Sequence, residues 1–291
     1  MHDFANMASH YRQQYGDRTY DLFQALARPI KKVALLNPFV AKEKMREISA
    51  QGQRESILGH DFYWLPRDLE PVSIDGLMSH YFLDRSSVLA PLCLPLSPNT
   101  RVLDMCSAPG GKMLVMASRG LKGVELFAND LSPVRFDRMR RVFRQFIPDD
   151  IYQAHVRTSC RDAIHFGLKE GGRYDAIMLD APCSSEGHVI KNERLLQGFK
   201  GLRKNLPMRQ YALLSAALLA LRPGGYVVYS TCSINHRENQ EVIRRILTKK
   251  KDVCSIQELA LPMGRDTGYG IAIEPDLHGA GPAFICLLKK R

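Results

Sequence analysis

Two cysteines close apolar runs of the kind that form strands: Cys183 in Leu179-Asp180-Ala181-Pro182-Cys183 and Cys232 in Tyr229-Ser230-Thr231-Cys232. If both runs stop at the same edge of a parallel sheet, thiols 49 positions apart in sequence face one substrate, where open α/β sheets bind ligands. A lone cysteine is more often core packing than chemistry, but two at such an edge point to covalent work. Methylation of a pyrimidine at C5 has that need, because C5 is a poor nucleophile. A thiolate that adds to C6 turns C5 into an enamine-like carbon able to attack a methyl group on sulfonium. A base then removes the C5 proton and the thiol leaves, so one thiol adds and a second group assists release. Spacing alone does not say which cysteine does which. Asp180, at the end of its run, is placed to bond the N3 edge of such a ring and stabilise the adduct.

The elements that must position these groups are legible from residue 101 onwards. Strand-like runs at Arg101–Cys106, Val124–Asp130, Ala154–Cys160, Tyr174–Asp180 and Gly225–Thr231 alternate with helical patterns at Gly111–Arg119, Ser132–Phe146, Pro207–Leu221 and Arg237–Lys249. That alternation predicts a doubly wound α/β fold with a mostly parallel sheet. Ser132-Pro133 reads as an N-cap followed by proline at the first helical position. Arg222-Pro223-Gly224-Gly225 turns a Leu/Ala-rich helix into the next strand. Pro282–Leu288 reads as a last strand near the sheet edge. Residues 1–78 form a partly helical N-terminal appendage, with helical stretches at Tyr20–Ala27 and Ala41–Ile48 and an irregular His60–Ile74; residues 79–291 are the main domain.

A ligand loop follows the first strand: Cys106-Ser107-Ala108-Pro109-Gly110-Gly111-Lys112 opens a helix, and consecutive glycines let backbone N–H groups approach a nucleotide-type ligand. A GxGxxG fingerprint is absent. A P-loop would need glycine at 106 and Ser or Thr at 113, where this chain has Cys106 and Met113. Asp130, 19 residues after Gly111, is placed for ribose hydroxyls. Asp162 could contact an adenine amino group or merely cap a helix.

The charge of +11 and pI near 9.4 point to a polyanionic partner, or simply to solubility. Seven cysteines without a CxxC pair fit reduced thiols and argue against a zinc site or a disulfide framework. No apolar run spans a bilayer, and Met1-His2-Asp3-Phe4 lacks the order of a secretory signal, so the chain reads as soluble. Neither a membrane nor a metal is expected.

Four ordered motifs carry a resemblance: Leu103-Asp104-Met105-Cys106-Ser107-Ala108-Pro109-Gly110-Gly111-Lys112, Asn129-Asp130-Leu131-Ser132-Pro133-Val134-Arg135, Asp180-Ala181-Pro182-Cys183 and Ser230-Thr231-Cys232-Ser233. Over about residues 75–291 the chain resembles the RsmB/NSUN RNA cytosine-5 methyltransferases. The resemblance implies the class I methyltransferase fold. It further implies S-adenosylmethionine held by Cys106, Gly110, Gly111, Lys112, Asp130, Arg135, Asp162 and Asp180. It also orders the thiols: the family's Thr-Cys cysteine, matching Cys232, attacks, and its Pro-Cys cysteine, matching Cys183, assists release. DNA cytosine-5 methyltransferases attack with the Pro-Cys thiol, so Thr231-Cys232 separates the classes. Tyr15-Gly16-Asp17, Ala34-Leu35-Leu36-Asn37-Pro38-Phe39 and Gly281-Pro282-Ala283-Phe284 are most similar to the mitochondrial branch. That branch methylates small-subunit ribosomal RNA and serves ribosome assembly with an mTERF-type protein, which implies a mitochondrial matrix location.

Ser184-Ser185-Glu186-Gly187 stands where the family commonly has Ser-Gly-Thr-Gly, which brings an acidic residue near the expected base pocket. Met113 replaces a usual Thr, and Ala163 stands where the branch tends to have Gly. The best RNA-contact stretch follows Cys183 and contains Lys191, Arg194, Lys200, Arg203, Lys204 and Arg209. The Arg135–Arg144 and Arg244–Lys251 clusters are either solvated helix faces or further RNA anchors. Reaching C5 requires an unstacked cytosine, hence a single-stranded or flexible target. The alternative function is a ribosome assembly factor that keeps this fold without turnover.

Overall fold

The computed structural model describes residues 2–120, 122–199, 201 and 205–291. Before the expected sheet lies a smaller one that the sequence reading missed. Its strands are Lys32–Leu36 (β1), Gln53–Ile57 (β2), His60–Trp64 (β3) and His80–Asp84 (β4), antiparallel in the order β2-β3-β1-β4. His60–Trp64 was expected to be irregular; it pairs because Phe62 fills the core while Asp61 faces out. The fourth strand lies beyond residue 78, the boundary expected for the appendage, and its Tyr81 ring packs on Phe146 of the main domain. The helices expected near residues 20–27 and 41–48 run over Thr19–Ala27 and Lys42–Ser49.

The main sheet begins with Arg101–Asp104 (β5), Glu125–Asn129 (β6), Val156–Ser159 (β7), Tyr174–Asp180 (β8) and Leu221–Thr231 (β9), all mutually parallel in the order β7-β6-β5-β8-β9. Cys254–Gln257 (β10), Ile271–Ile273 (β11) and Ala283–Lys290 (β12) extend it, and the two-residue strand Arg265–Asp266 pairs with β11 at the edge. Strand β12 runs antiparallel to β9. As expected it lies near the sheet edge, with β10 and β11 pairing along its other side. That position explains why six consecutive residues from Ala283 to Leu288 are buried.

Chain order reverses between β5 and β8, which opens a crevice at their carboxyl ends. The helices that cover the faces include Gly111–Ser118 (α1), Pro133–Phe146 (α2), Leu206–Ala220 (α3) and Gln240–Lys249 (α4). Ser132 caps α2 by accepting from the Arg135 N–H, with Pro133 at the first turn. Ala154 and His155, expected in a strand, end the helix Asp149–His155 instead.

Glycine is required at 110 for two reasons. Its φ of +111° disfavours L side chains, and an added Cβ would lie 2.9 Å from the Phe143 ring. At Gly111 an added Cβ would lie 2.8 Å from Tyr81. The glycine pair, read from the sequence as backbone room for a ligand, is thus demanded by packing between elements of the fold itself.

Candidate active site

Both cysteine loops leave the same edge of the sheet. Cys183 follows β8 and Cys232 follows β9, and their sulfurs lie 3.1 Å apart. Ser185 Oγ sits 3.4 Å from Cys183 Sγ and 3.2 Å from Cys232 Sγ. The hydrogen bond from Cys183 lowers the Cys232 thiol below its ordinary range, with help from Ser185 and Lys112 against burial and Asp180. The same contact, reinforced by burial, raises Cys183. Cys232 is therefore the more acidic thiol of the pair.

Asp180 is held by two donors: Lys112 Nζ reaches its Oδ2 at 2.7 Å and Ser230 Oγ its Oδ1 at 2.8 Å. Lys112, expected at the cofactor, is thus the counter-ion of the carboxylate beside the thiols. Burial opposes its charge, but Asp180 more than offsets this and raises it.

A cavity of about 370 Å³ joins the thiols to the expected cofactor residues, with Cys106, Asp130, Arg135 and Asp180 in its wall. Asp130 accepts from the Ala108 N–H at 3.3 Å and the Ser132 N–H at 3.0 Å and leaves lone pairs for a diol. Arg135 straps the loop by donating to the Ala108 carbonyl at 2.6 Å. Asp162 caps a short helix through the Ile164 N–H at 3.1 Å and accepts from Arg209 at 2.9 Å. Burial would raise this carboxyl, but those two bonds hold it low.

One carboxyl escaped the sequence reading. Asp104, at the end of β5, is buried in the wall of an adjoining cavity, and its Oδ2 has no partner among the described residues. An orphaned buried acceptor of this kind fits the ammonium end of an amino-acid-bearing nucleotide, as Asp130 fits its ribose. Its signal was present in Leu103-Asp104, the strand end that opens the ligand loop. Burial pushes Asp104 up to about 7. The folded chain then binds a proton that the unfolded chain releases, so stability falls as pH rises from about 4 to 7. Asp104→Asn should flatten that fall, worth ~4 kcal/mol at most, as read by urea unfolding at pH 5 and pH 8.

Residues 91–289, well over half of the chain, match the family described as 16S rRNA methyltransferase RsmB/F. The chain belongs to the RsmB/F family. Among its relatives is the 5-cytosine rRNA methyltransferase NSUN4 of Mus musculus, 34% identical over 269 residues that cover 80% of this chain and 70% of that protein. The Bos taurus protein of the same name is 40% identical over 173 residues, 58% of this chain and 45% of that protein. A mitochondrial tRNA (cytosine(34)-C(5))-methyltransferase of Mus musculus is 31% identical over 227 residues, covering 74% of this chain and 65% of that protein. The chain spans between 45% and 70% of the length of these relatives. A methyltransferase homolog from Pyrococcus horikoshii superposes with a TM-score of 0.74 at 25% identity, covering 97% of this chain and 94% of that one. NSun6 from the same organism, solved with SFG, gives 0.78 at 18% identity over 98% and 97%. The fold is that of the SAM-dependent methyltransferases.

Within this RsmB/F chain the expected RNA contacts divide. Lys191 and Arg194 are exposed on the short helices after Cys183. Lys200, Arg203 and Lys204 lie outside the described residues. Arg209 does not face open solvent on a basic stretch: it lies in the first turn of α3, which brings it into the cavity wall beside Asp162. Arg244, Arg245 and Lys249 line a separate groove of about 390 Å³, where Arg245 stacks 4.2 Å over the Tyr211 ring.

Proposed function

We propose that the chain methylates C5 of cytosine in RNA, with small-subunit ribosomal RNA as substrate and the mitochondrial matrix as its setting. The thiol pair 3.1 Å apart beside Asp180, in one cavity with Asp130, carries this reading. When bound, S-adenosylmethionine supplies an electrophilic methyl group; Asp130 would hold its ribose, Asp104 its ammonium, and the wall formed by Cys106, Ala163 and Arg209, the last held by Asp162, its base.

Cys232 Sγ, the more acidic thiol, forms a bond to C6 and pushes the ring electrons towards C5. N3 takes up a proton from solvent as the adduct forms, and Asp180, kept in place by Lys112 and Ser230, accepts the hydrogen bond from that N–H. Once C5 carries the methyl group, its proton passes to solvent water, the ring electrons return, and the C6–S bond breaks. Cys183, protonated and in contact with the leaving sulfur, assists that departure. Exposed Lys191 and Arg194, on the two short helices that follow Cys183, suit a phosphate backbone.

Relatives named for ribosomal RNA and for a mitochondrial location support the substrate and compartment. Target choice is read as falling to the ribosomal particle or to an mTERF-type protein. The test is incubation of native small-subunit ribosomal precursor with methyl-labelled S-adenosylmethionine, followed by nucleoside analysis. Label is expected in 5-methylcytidine at one position. No label and no covalent adduct on that precursor would sink the proposal.

A further inference from the structure

Behind the thiols lies a pair of carboxyls that this chemistry does not use. Glu186 and Glu238 are both fully buried, and among the described residues neither forms an ion pair with a Lys or Arg. Glu238 is surrounded by donors: the Ser184 N–H at 2.9 Å, Gln210 Nε2 at 3.0 Å and Asn235 Nδ2 at 3.0 Å, with Ser184 Oγ 2.6 Å from its Oε1. That is the environment of an ionised carboxylate. Glu186 accepts from the Tyr11 hydroxyl at 2.5 Å, the Ser233 hydroxyl at 2.9 Å and the Ile234 N–H at 3.2 Å, and its Oε1 also meets Ser184 Oγ.

Proton counting decides the state of the pair. Ser184 has one hydroxyl proton and touches an oxygen of both carboxyls, so it can donate to only one of them. The other contact is a hydrogen bond only if that carboxyl carries a proton. We propose that Glu186 is a neutral acid donating to Ser184 Oγ, which donates on to ionised Glu238, and that this relay holds the Cys183 and Cys232 loops at their working spacing. The proposal rests on the thiol pair being the reactive centre.

The connectivity supports a positioning role. Ser184 follows Cys183 directly, and Ser233 follows Cys232 directly. Their hydroxyls are 3.0 Å apart, and both touch Glu186 Oε1. Tyr11 fastens the relay to the N-terminal segment, whose Met7, Leu22, Phe23 and Leu26 pack with Ile190 and Ile234. The titratable groups facing Glu186 are Tyr11 and Tyr15 from that segment, Cys183, and Glu238 from the loop after β9. None supplies positive charge. Burial first, and then the Glu238 charge, raise Glu186, while the two phenols are pushed far above their usual range and stay neutral donors.

The test compares Glu186→Gln, which keeps a neutral donor and an acceptor, with Glu186→Ala, which keeps neither. Methyl transfer by Glu186→Gln at pH 7 is expected within about threefold of wild type, whereas Glu186→Ala should lose more than about tenfold. Thermal unfolding without RNA or methyl donor supplies the second readout. In the wild type the folded state holds a proton that the unfolded state releases above the ordinary carboxylate range. Its midpoint should therefore drop relative to Glu186→Gln as pH rises, and the gap should widen with pH. A Glu186→Gln variant as impaired as Glu186→Ala, or a gap independent of pH, overturns the proposal. If no variant, wild type included, transfers methyl groups, the assigned reaction is at fault and the thermal series still decides the protonation of Glu186.

Discussion

Cys232→Ser should lower methyl transfer by at least about 10³-fold, because an alcohol with a pKa far above that of a thiol cannot add to C6 at neutral pH. The fold should be unchanged, since Cys232 belongs to none of the buried apolar clusters and serine keeps the shape of the cavity wall. Cys183→Ser should behave differently. The adduct through Cys232 still forms, but departure loses the protonated thiol 3.1 Å away, so a covalent protein–RNA species should accumulate on denaturing gels. If the two variants exchange phenotypes, with adduct trapped by Cys232→Ser, the order of the thiols is reversed and the chain works as the DNA enzymes do. If Cys232→Ser supports ribosome assembly in cells as well as the wild type does, turnover is not the required role and the scaffold reading gains.

Asp180→Asn should cost roughly 10²–10⁴-fold in turnover with little change in RNA affinity. The amide keeps the size of the carboxyl: its oxygen can accept from Lys112, which now donates at 2.7 Å, and its Nδ2 can donate to the Ser230 hydroxyl, which now donates at 2.8 Å, so the loop should stay in place. What is lost is the negative charge that answers a proton on N3. Ser230→Ala, which removes one of the two bonds holding Asp180 and leaves its charge, should cost about tenfold or less. Steady-state kcat/KM on a short cytosine-containing RNA distinguishes these, and an Asp180→Asn enzyme within a few fold of wild type would remove Asp180 from the chemistry.

Much of the scaffold was legible because its signals are local. Each parallel strand is a short apolar run, and the Ser132-Pro133 cap is written in adjacent residues; Arg222–Gly225, expected as a turn before the strand, lies instead inside β9 as a bulge where its register with β8 shifts. The N-terminal sheet was not legible. Its strands are short, only half-buried and rich in polar residues, as in Gln53–Ile57, and they become strands by pairing with partners far along the chain. The same limit applied to β12, whose apolar run declared a strand but not its three neighbours.

The candidate site divides along that line. The sequence by itself determined which residue types end the strands: the two thiols, Asp104, Asp130 and Asp180, because strand ends are set by local runs and the order of motifs is linear. Only the tertiary structure decided which of them meet. It set Lys112 on Asp180, Arg209 on Asp162, and Glu186 against Glu238 through one serine proton. Those pairings join residues 47 to 68 positions apart, and no spacing rule reaches that far. Hydrogen-bond partners and burial set the protonation of a buried acid or thiol, so the difference between Cys183 and Cys232 exists only once β8 and β9 lie side by side.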